Sequence, residues 1–244
     1  MRPFYIIGHN PNTVIDAMNY LRSGANALEP DVHFTNGDYY MGEGTTSTDL
    51  SLANYLQGLC AALNSNPTLV PALIMFDTKN SNGDILDMLS CIQTNYSANF
   101  KDTAISITRS QATGDEHNFF APCAGSPSPA VGIDEHTEPE FVDTFFQSLG
   151  IRSYTYADGI SIQIPLLANI YKARIKRAIA MRDTGNSFKL VYAWTLDFQG
   201  EIEGFLALNP DGLITDNPGS LKETIANKFS NQYRLATTSD NPFT

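Results

Sequence analysis

Eight short apolar segments alternating with helix-length amphipathic ones predict an α/β fold, a (β/α)8 TIM barrel, for these 244 residues. Two further observations point the same way. Residues able to do chemistry follow the strand segments and not the helices, as barrel enzymes require. No internal repeat and no linker divides the chain, so residues 1–244 are read as a single barrel domain that includes the tail 236–243.

The first strand is the apolar run 4–7, ending before His9. A helix over 13–23 comes next, with Val14, Ala17, Met18 and Leu21 on one face and Gly24 as its stop. The second strand lies within 24–34. Asn36-Gly37 and the 42–47 run read as a long polar loop, and Asp49 as the N-cap of a helix to about Asn64. Strand three is 69–76, a helix spans 84–96, and strand four is 103–107. Strand five is a weak 130–133, then a helix over 138–149 and strand six at 151–156. A long helix over 165–183 carries most of the basic charge. Strand seven is 189–196 with a short helix at 200–208. Strand eight is 211–215, and the last helix runs 220–230.

The second strand organises the rest. Alternation places Glu29, Asp31 and His33 on one face and Leu28, Val32 and Phe34 on the other. Two carboxylates and an imidazole against an apolar face are costly to bury unpartnered, and a hard divalent cation such as Mg2+ suits carboxylate oxygens. A solvated edge strand is the plainer alternative, and Pro30, which removes a ladder donor, leans toward an edge or a bulge. The other strand ends carry His9, then Asp77 with Lys79, then Trp194 with Asp197, then Asp216 with Asn217. Together they describe a carboxylate metal site with a base and a cation beside it.

A net charge of -11 argues against nucleic acid and against adsorption on anionic membranes. No apolar run reaches transmembrane length, and no signal-peptide pattern precedes the first strand. The compartment stays open between cytoplasmic and secreted with the leader removed, and a monomer is expected. Cys60, Cys91 and Cys123 fit neither a metal motif nor a disulfide framework and read as buried free thiols.

The motifs then form a pattern. Gly8-His9-Asn10-Pro11-Asn12, and Gly24-Ala25-Asn26 leading to Glu29-Pro30-Asp31-Val32, resemble the start of glycerophosphodiesterase-like barrels, as does Phe76-Asp77-Thr78-Lys79. Arg182-Asp183-Thr184-Gly185-Asn186, the run 192–197 and the tail 236–243 resemble the sphingomyelinase D (phospholipase D toxin) family, with Phe243 where that family has Trp. The resemblance covers nearly the whole chain and implies a phospholipase C-like phosphodiesterase barrel. It implies Mg2+ on Glu29, Asp31 and Asp77, a catalytic imidazole at His9, and Lys79 neutralising phosphate. It further implies Tyr192 and Trp194 as the lining against which a choline-like cation stacks. Asn12, Asp197 and Asp216 complete the candidates for substrate contact. The implied partner is a phosphate-containing small molecule or lipid, and the implied product a cyclic phosphate formed by attack of the substrate's own hydroxyl.

One departure matters. The family's second histidine belongs in a Tyr-x-His-Gly context, which here reads Tyr39-Tyr40-Met41-Gly42. Met41 transfers no proton, so a second imidazole must come from elsewhere or be dispensable. His33 is the nearest candidate, whereas His117 and His136 default to the surface. Three readings remain open: an Mg2+-dependent lipid phosphodiester lyase with altered acid–base groups, the same barrel assisting departure of a diphosphate as terpene cyclases do, or an inactive ligand-binding relative.

Overall fold

The computed structural model describes residues 1–44, 50–80, 83–110, 114–125, 130–134, 136–159, 165–185 and 188–244, residues 165–168 by backbone alone. In chain order, β1 (Arg2–His9) leads to α1 (Val14–Ser23), then β2 (Ala27–Glu29), β3 (Asp31–Thr35), β4 (Asp38–Met41) and α2 (Leu52–Asn64). Next come β5 (Leu73–Thr78), α3 (Ile85–Ile92), β6 (Ala104–Arg109), α4 (Glu116–Phe120), β7 (Ala130–Ile133) and α5 (Pro139–Ser148). The chain ends with β8 (Tyr154–Gly159), α6 (Pro165–Asp183), β9 (Leu190–Trp194), α7 (Gln199–Leu206), β10 (Gly212–Thr215), α8 (Pro218–Lys228) and β11 (Tyr233–Leu235). Parallel pairing runs β1-β2-β5-β6-β7-β8-β9-β10 and back to β1, closing the eight-stranded barrel that the sequence predicts.

Alternation along each strand sorts side chains between two apolar layers. Tyr5, Ile7, Ala27, Leu73, Met75 and Tyr192 fill the barrel. Phe4, Ile6, Leu28, Ile74, Phe76 and Val191 face the surrounding helices. Local signals set the helix ends. Thr13 accepts from the Asp16 amide at the start of α1, and Gly24, at φ 111, ends it in the left-handed conformation that glycine adopts without strain.

Several boundaries move for physical reasons. Pro30 carries no amide hydrogen, and it splits strand two: β2 pairs with β1 and β5, while β3 pairs with β5 and β4. The 36–41 stretch is no loop. Asn36 and Gly37, at φ 51 and 85, make the tight turn of an antiparallel β3–β4 hairpin, the pairing that an Asn-Gly step favours. Residues 67–69 form a short 3-10 turn, so strand three begins at Leu73 and carries Asp77 within it. Ser51 is the N-cap of α2, and Asp49 lies outside the described residues. An unforeseen strand, β11, pairs with the first half of β1 beneath the barrel. All three cysteines are free, although Cys91 is only half-buried.

Candidate active site

Register creates the cluster. Parallel pairing sets His9 opposite Glu29 and Asp31 opposite Asp77, all at the carboxyl ends of neighbouring strands. Glu29, Asp31 and Asp77 are buried, and one oxygen from each lies within 4.8 Å of the others. The Lys79 ammonium reaches Asp31 Oδ1 at 2.9 Å, bonds Asp77 Oδ2, and meets Ser110 Oγ at 3.3 Å. Asp77 Oδ1 is buried with no hydrogen-bond partner among the described residues. Three buried carboxylates beside one ammonium leave the cluster net negative, and its donors are all oxygen. That set fits a hard dication, which would take the unpartnered oxygen and leave positions for water or phosphate oxygens.

Electrostatics agree. Burial, reinforced by Asp77 and Asp31, pushes the Glu29 carboxyl well above the ordinary range. Burial also raises Asp31, against the opposing pull of Lys79 and Asn12. Burial alone would lower the Lys79 ammonium, but Asp77, Asp31 and Glu29 outweigh it and hold the proton firmly.

His9, Glu29, Asp77, Lys79, Asp134 and Trp194 line a cavity of about 270 Å³ at this end of the barrel, with Glu43, Ser110 and Ile214 completing much of its wall. His9 Nδ1 is 2.9 Å from Asp216 Oδ1. Asp216 is held in turn: its amide donates to Asp197 Oδ1 at 2.8 Å, and the Tyr20 hydroxyl reaches its carboxylate at 3.3 Å. Asp197 also accepts from Thr215 Oγ1 at 2.8 Å. Asp216 and Asp197 therefore orient His9 and fix the turn after β10, a different place from the substrate contact expected of them. Asn12 is likewise turned to the cluster. Its Nδ2 donates to Asp31 Oδ2 at 2.9 Å, and its Oδ1 accepts from the Asp31 amide at 2.7 Å.

Tyr192 departs from expectation as well. It points into the closed barrel, 1% exposed, and its hydroxyl donates to Asp134 Oδ2 at 3.3 Å beneath the cavity floor. Trp194, two residues on and half-buried, does line the cavity. His33 keeps the predicted face and is buried, but it is not among the residues that line the cavity. Its Nδ1 is 2.9 Å from the Gly42 carbonyl, and its Nε2 has no partner among the described residues. Met41 faces the other way. It pairs opposite Val32 and is fully buried in the outer apolar layer, so an imidazole placed there would enter that layer and not the cavity.

Sequence reasoning missed two groups. Asp134 comes directly after β7, is buried, and leaves Oδ1 unpartnered among the described residues. Burial, reinforced by Asp77, holds its carboxyl well above the ordinary range. His136 is exposed, as expected of it, but its ring is held in place. Its ring stacks between Tyr171 and Trp194, with centroids 4.7 and 5.4 Å away. Its Nδ1 is 2.9 Å from Asp158 Oδ1, a fully buried carboxylate that Arg174 Nη1 also approaches at 3.3 Å. Gly159 permits this arrangement: a Cβ there would lie 1.6 Å from the Trp194 carbonyl oxygen. Asp134 was signalled only by an acid after a weak strand. His136 carries no local signal, since its partners come from β8, α6 and β9.

Solved structures share this closed parallel barrel. The fold is that of a glycerophosphoryl diester phosphodiesterase from Silicibacter pomeroyi, at TM-score 0.64 and 14% identity over 96% of each chain. It is equally that of a phosphodiesterase from Oleispira antarctica, solved with the product sn-glycerol-3-phosphate, at TM-score 0.62 and 13% identity over 91% of this chain and 96% of that one. The chain belongs to the dermonecrotic toxin SPH family, whose profile matches residues 1–44 and 123–243. It is 26% identical over 272 residues to dermonecrotic toxin LdSicTox-alphaIB3aiv of Loxosceles deserta, covering 98% of each chain. Dermonecrotic toxin LiSicTox-alphaIA2bii of Loxosceles intermedia is also 26% identical, over 99% of this chain and 90% of its own.

Proposed function

We propose that the protein is an Mg2+-dependent phosphodiester lyase acting on a choline-type phospholipid headgroup. The observation that carries this is the buried Glu29–Asp31–Asp77 cluster, with its unpartnered Asp77 oxygen and adjacent Lys79, opening on a cavity walled by His9. Glu29, Asp31 and Asp77 would hold the ion, which supplies polarisation of a phosphate oxygen. Lys79 neutralises the phosphate's charge. Asp216 holds His9 through Nδ1, which leaves Nε2 to exchange a proton with the reacting oxygens.

The substrate's own hydroxyl oxygen bonds to phosphorus and gives its proton to one imidazole. The bond from phosphorus to the headgroup alcohol breaks, and that alcohol receives a proton from a second group. We assign the second role to His136, which stacks on the cavity-lining Trp194 without itself lining the cavity. It stands just beyond β7, which is four strands from β1 around an eight-stranded ring, so the two histidines rise from opposite walls. In-line displacement needs acid and base on opposite sides of phosphorus. Asp158 orients His136 as Asp216 orients His9.

Phosphorus NMR tests the reading, with the protein and Mg2+ offered sphingomyelin, lysophosphatidylcholine and farnesyl diphosphate in turn. A cyclic phosphate signal from either lipid, absent with Asp77→Asn, is the expected result. Diphosphate release from farnesyl diphosphate with both lipids untouched would overturn it in favour of a diphosphate-ionising barrel. In the same assay His136→Gln should lower the rate by about 10²–10⁴-fold, the usual contribution of a proton-transfer group, and flatten one limb of the pH profile. An unchanged profile would remove His136 from the mechanism.

A further inference from the structure

Among the described residues, the large apolar side chains left exposed are Met1, Ile15, Leu86, Phe141, Ile170 and Phe198. Met1 precedes β1 and lies at the closed end. The other five share a different address. Ile15 is the second residue of α1, Leu86 the second of α3, Phe141 the third of α5, Ile170 the sixth of α6, and Phe198 the N-cap of α7. Each of these helices leaves a strand's carboxyl end and runs back along the barrel, so its first turns stand beside the cavity mouth.

Single exposed apolar residues are ordinary, but confinement to one end is not. Ile15, Phe141 and Phe198 are 73%, 62% and 52% exposed. No later turn of any described helix exposes a comparable side chain.

The same first turns carry Asp16, Asp87, Glu140 and Glu201. Four of the five helices thus pair an exposed apolar side chain with an acid, on a chain of net charge -11. The exception is α6, which has no acid in its first turn and whose Arg177 approaches Glu140 at 3.6 Å. An anionic surface would be repelled, and a second copy of the chain would bring two acidic rings face to face. A surface of quaternary ammonium headgroups over an apolar interior complements both features.

We propose that the mouth end of the barrel docks on a zwitterionic, choline-headed lipid surface through Ile15, Leu86, Phe141, Ile170 and Phe198. The apolar side chains enter the interface and the carboxylates meet ammonium groups. The cavity then opens where headgroups lie, so the source of substrate is the assembled surface and not the free monomer. This deepens the phosphodiester reading and rests on it for the chemistry after docking, whereas docking itself is measured without turnover.

The experiment is flotation of the full chain with phosphatidylcholine vesicles at physiological salt, comparing wild type with the Phe141→Ser/Phe198→Ser double variant. Wild type should float, and replacing a third of the lipid with phosphatidylserine should weaken its binding. The double variant should partition about tenfold or more weakly, since each Phe gives up much of its buried area. Its Mg2+ binding isotherm should match wild type, which keeps a misfolded variant from being read as a docking defect. Absence of wild-type flotation, equal binding by the variant, or stronger binding to phosphatidylserine overturns the proposal. So does a wild-type dimer in ultracentrifugation that the double variant dissolves, which would assign the ring to a second copy. Vesicle binding with no phosphorus signal from any lipid would instead sink the phosphodiester reading and leave the docking ring standing.

Discussion

The two ends of this barrel are built from the same eight strands and treat their polar groups in opposite ways. At the lower end the chain satisfies most of them itself, with the Ser153 hydroxyl before β8 an exception among the described residues. Asn26 accepts from the Ile6 amide at 2.7 Å and donates to the carbonyls of Phe4 and Ala236 at 3.0 and 2.8 Å. The Tyr5 hydroxyl donates to the Asp240 carbonyl, Arg234 grips the Asp240 carboxylate, and Phe243 packs on the barrel's inner apolar cluster. Arg2 and Arg182 both reach Asp211, at 2.8 and 2.7 Å. At the upper end Asp77, Asp134 and His33 each keep a buried atom with no partner among the described residues. A saturated end stabilises, and an unsaturated end waits for a ligand.

The largest effect should come from breaking the upper end. Asp77→Asn should abolish Mg2+ binding in calorimetry and lower turnover by about 10³-fold or more, on the scale of losing a charge-stabilising group. Its metal-free melting temperature should change little, because the lost charge was crowded by Glu29 and Asp31. The raised Glu29 carboxyl sharpens this. A raised carboxyl makes the proton a stronger competitor of the ion, so binding should weaken as pH falls and any proton it displaces should appear in the buffer. Heats that do not depend on the buffer's ionisation enthalpy would show that Glu29 is already ionised.

The lower end should fail in the opposite sense. Asn26→Ala removes three hydrogen bonds and strands the Ile6 amide in the apolar layer, a loss of about 3 kcal/mol. For a chain of this size the melting temperature should drop by roughly 6–12 °C. Turnover per folded molecule should hold. A variant that melts normally but turns over slowly would show that the two ends are coupled.

The same contrast explains which features are legible in the sequence. Glu29, Asp31, Asp77 and Lys79 are legible because period-two alternation and strand-end position are local properties. The α1 boundaries are legible because Thr13 and Gly24 carry cap chemistry. The β3–β4 hairpin has its signal in Asn36-Gly37, but the long polar run after it draws the whole stretch toward a loop. Tyr192 and Trp194 stand two residues apart on one face. Depth along the barrel puts the first under the floor and the second in the wall, and depth depends on closure. The His136 stack and the course of the tail beneath β1 are products of strand order, so nothing within a few residues announces them.

The smallest effect tests the lower end by acidity. Arg234 is the main cause holding the Asp240 carboxyl below the ordinary carboxylate range, helped by the Thr237 amide and hydroxyl at 2.9 and 3.0 Å. Its folded pKa is depressed, so its contribution is complete above the unfolded value and is lost as pH falls through the folded one. The pair is half-buried at the surface, with the Arg234 guanidinium within reach of solvent and salt, so its share of stability is modest. Asp240→Asn should therefore lower the melting temperature at pH 7 by about 1–2 °C. The gap between variant and wild type should narrow below about pH 4, where the unfolded carboxyl takes its proton. Melting curves of both proteins from pH 7 to pH 3 make the comparison. A gap that stays constant over that range would mean that the Asp240 carbonyl, which accepts from Tyr5, holds the tail and the carboxylate adds nothing.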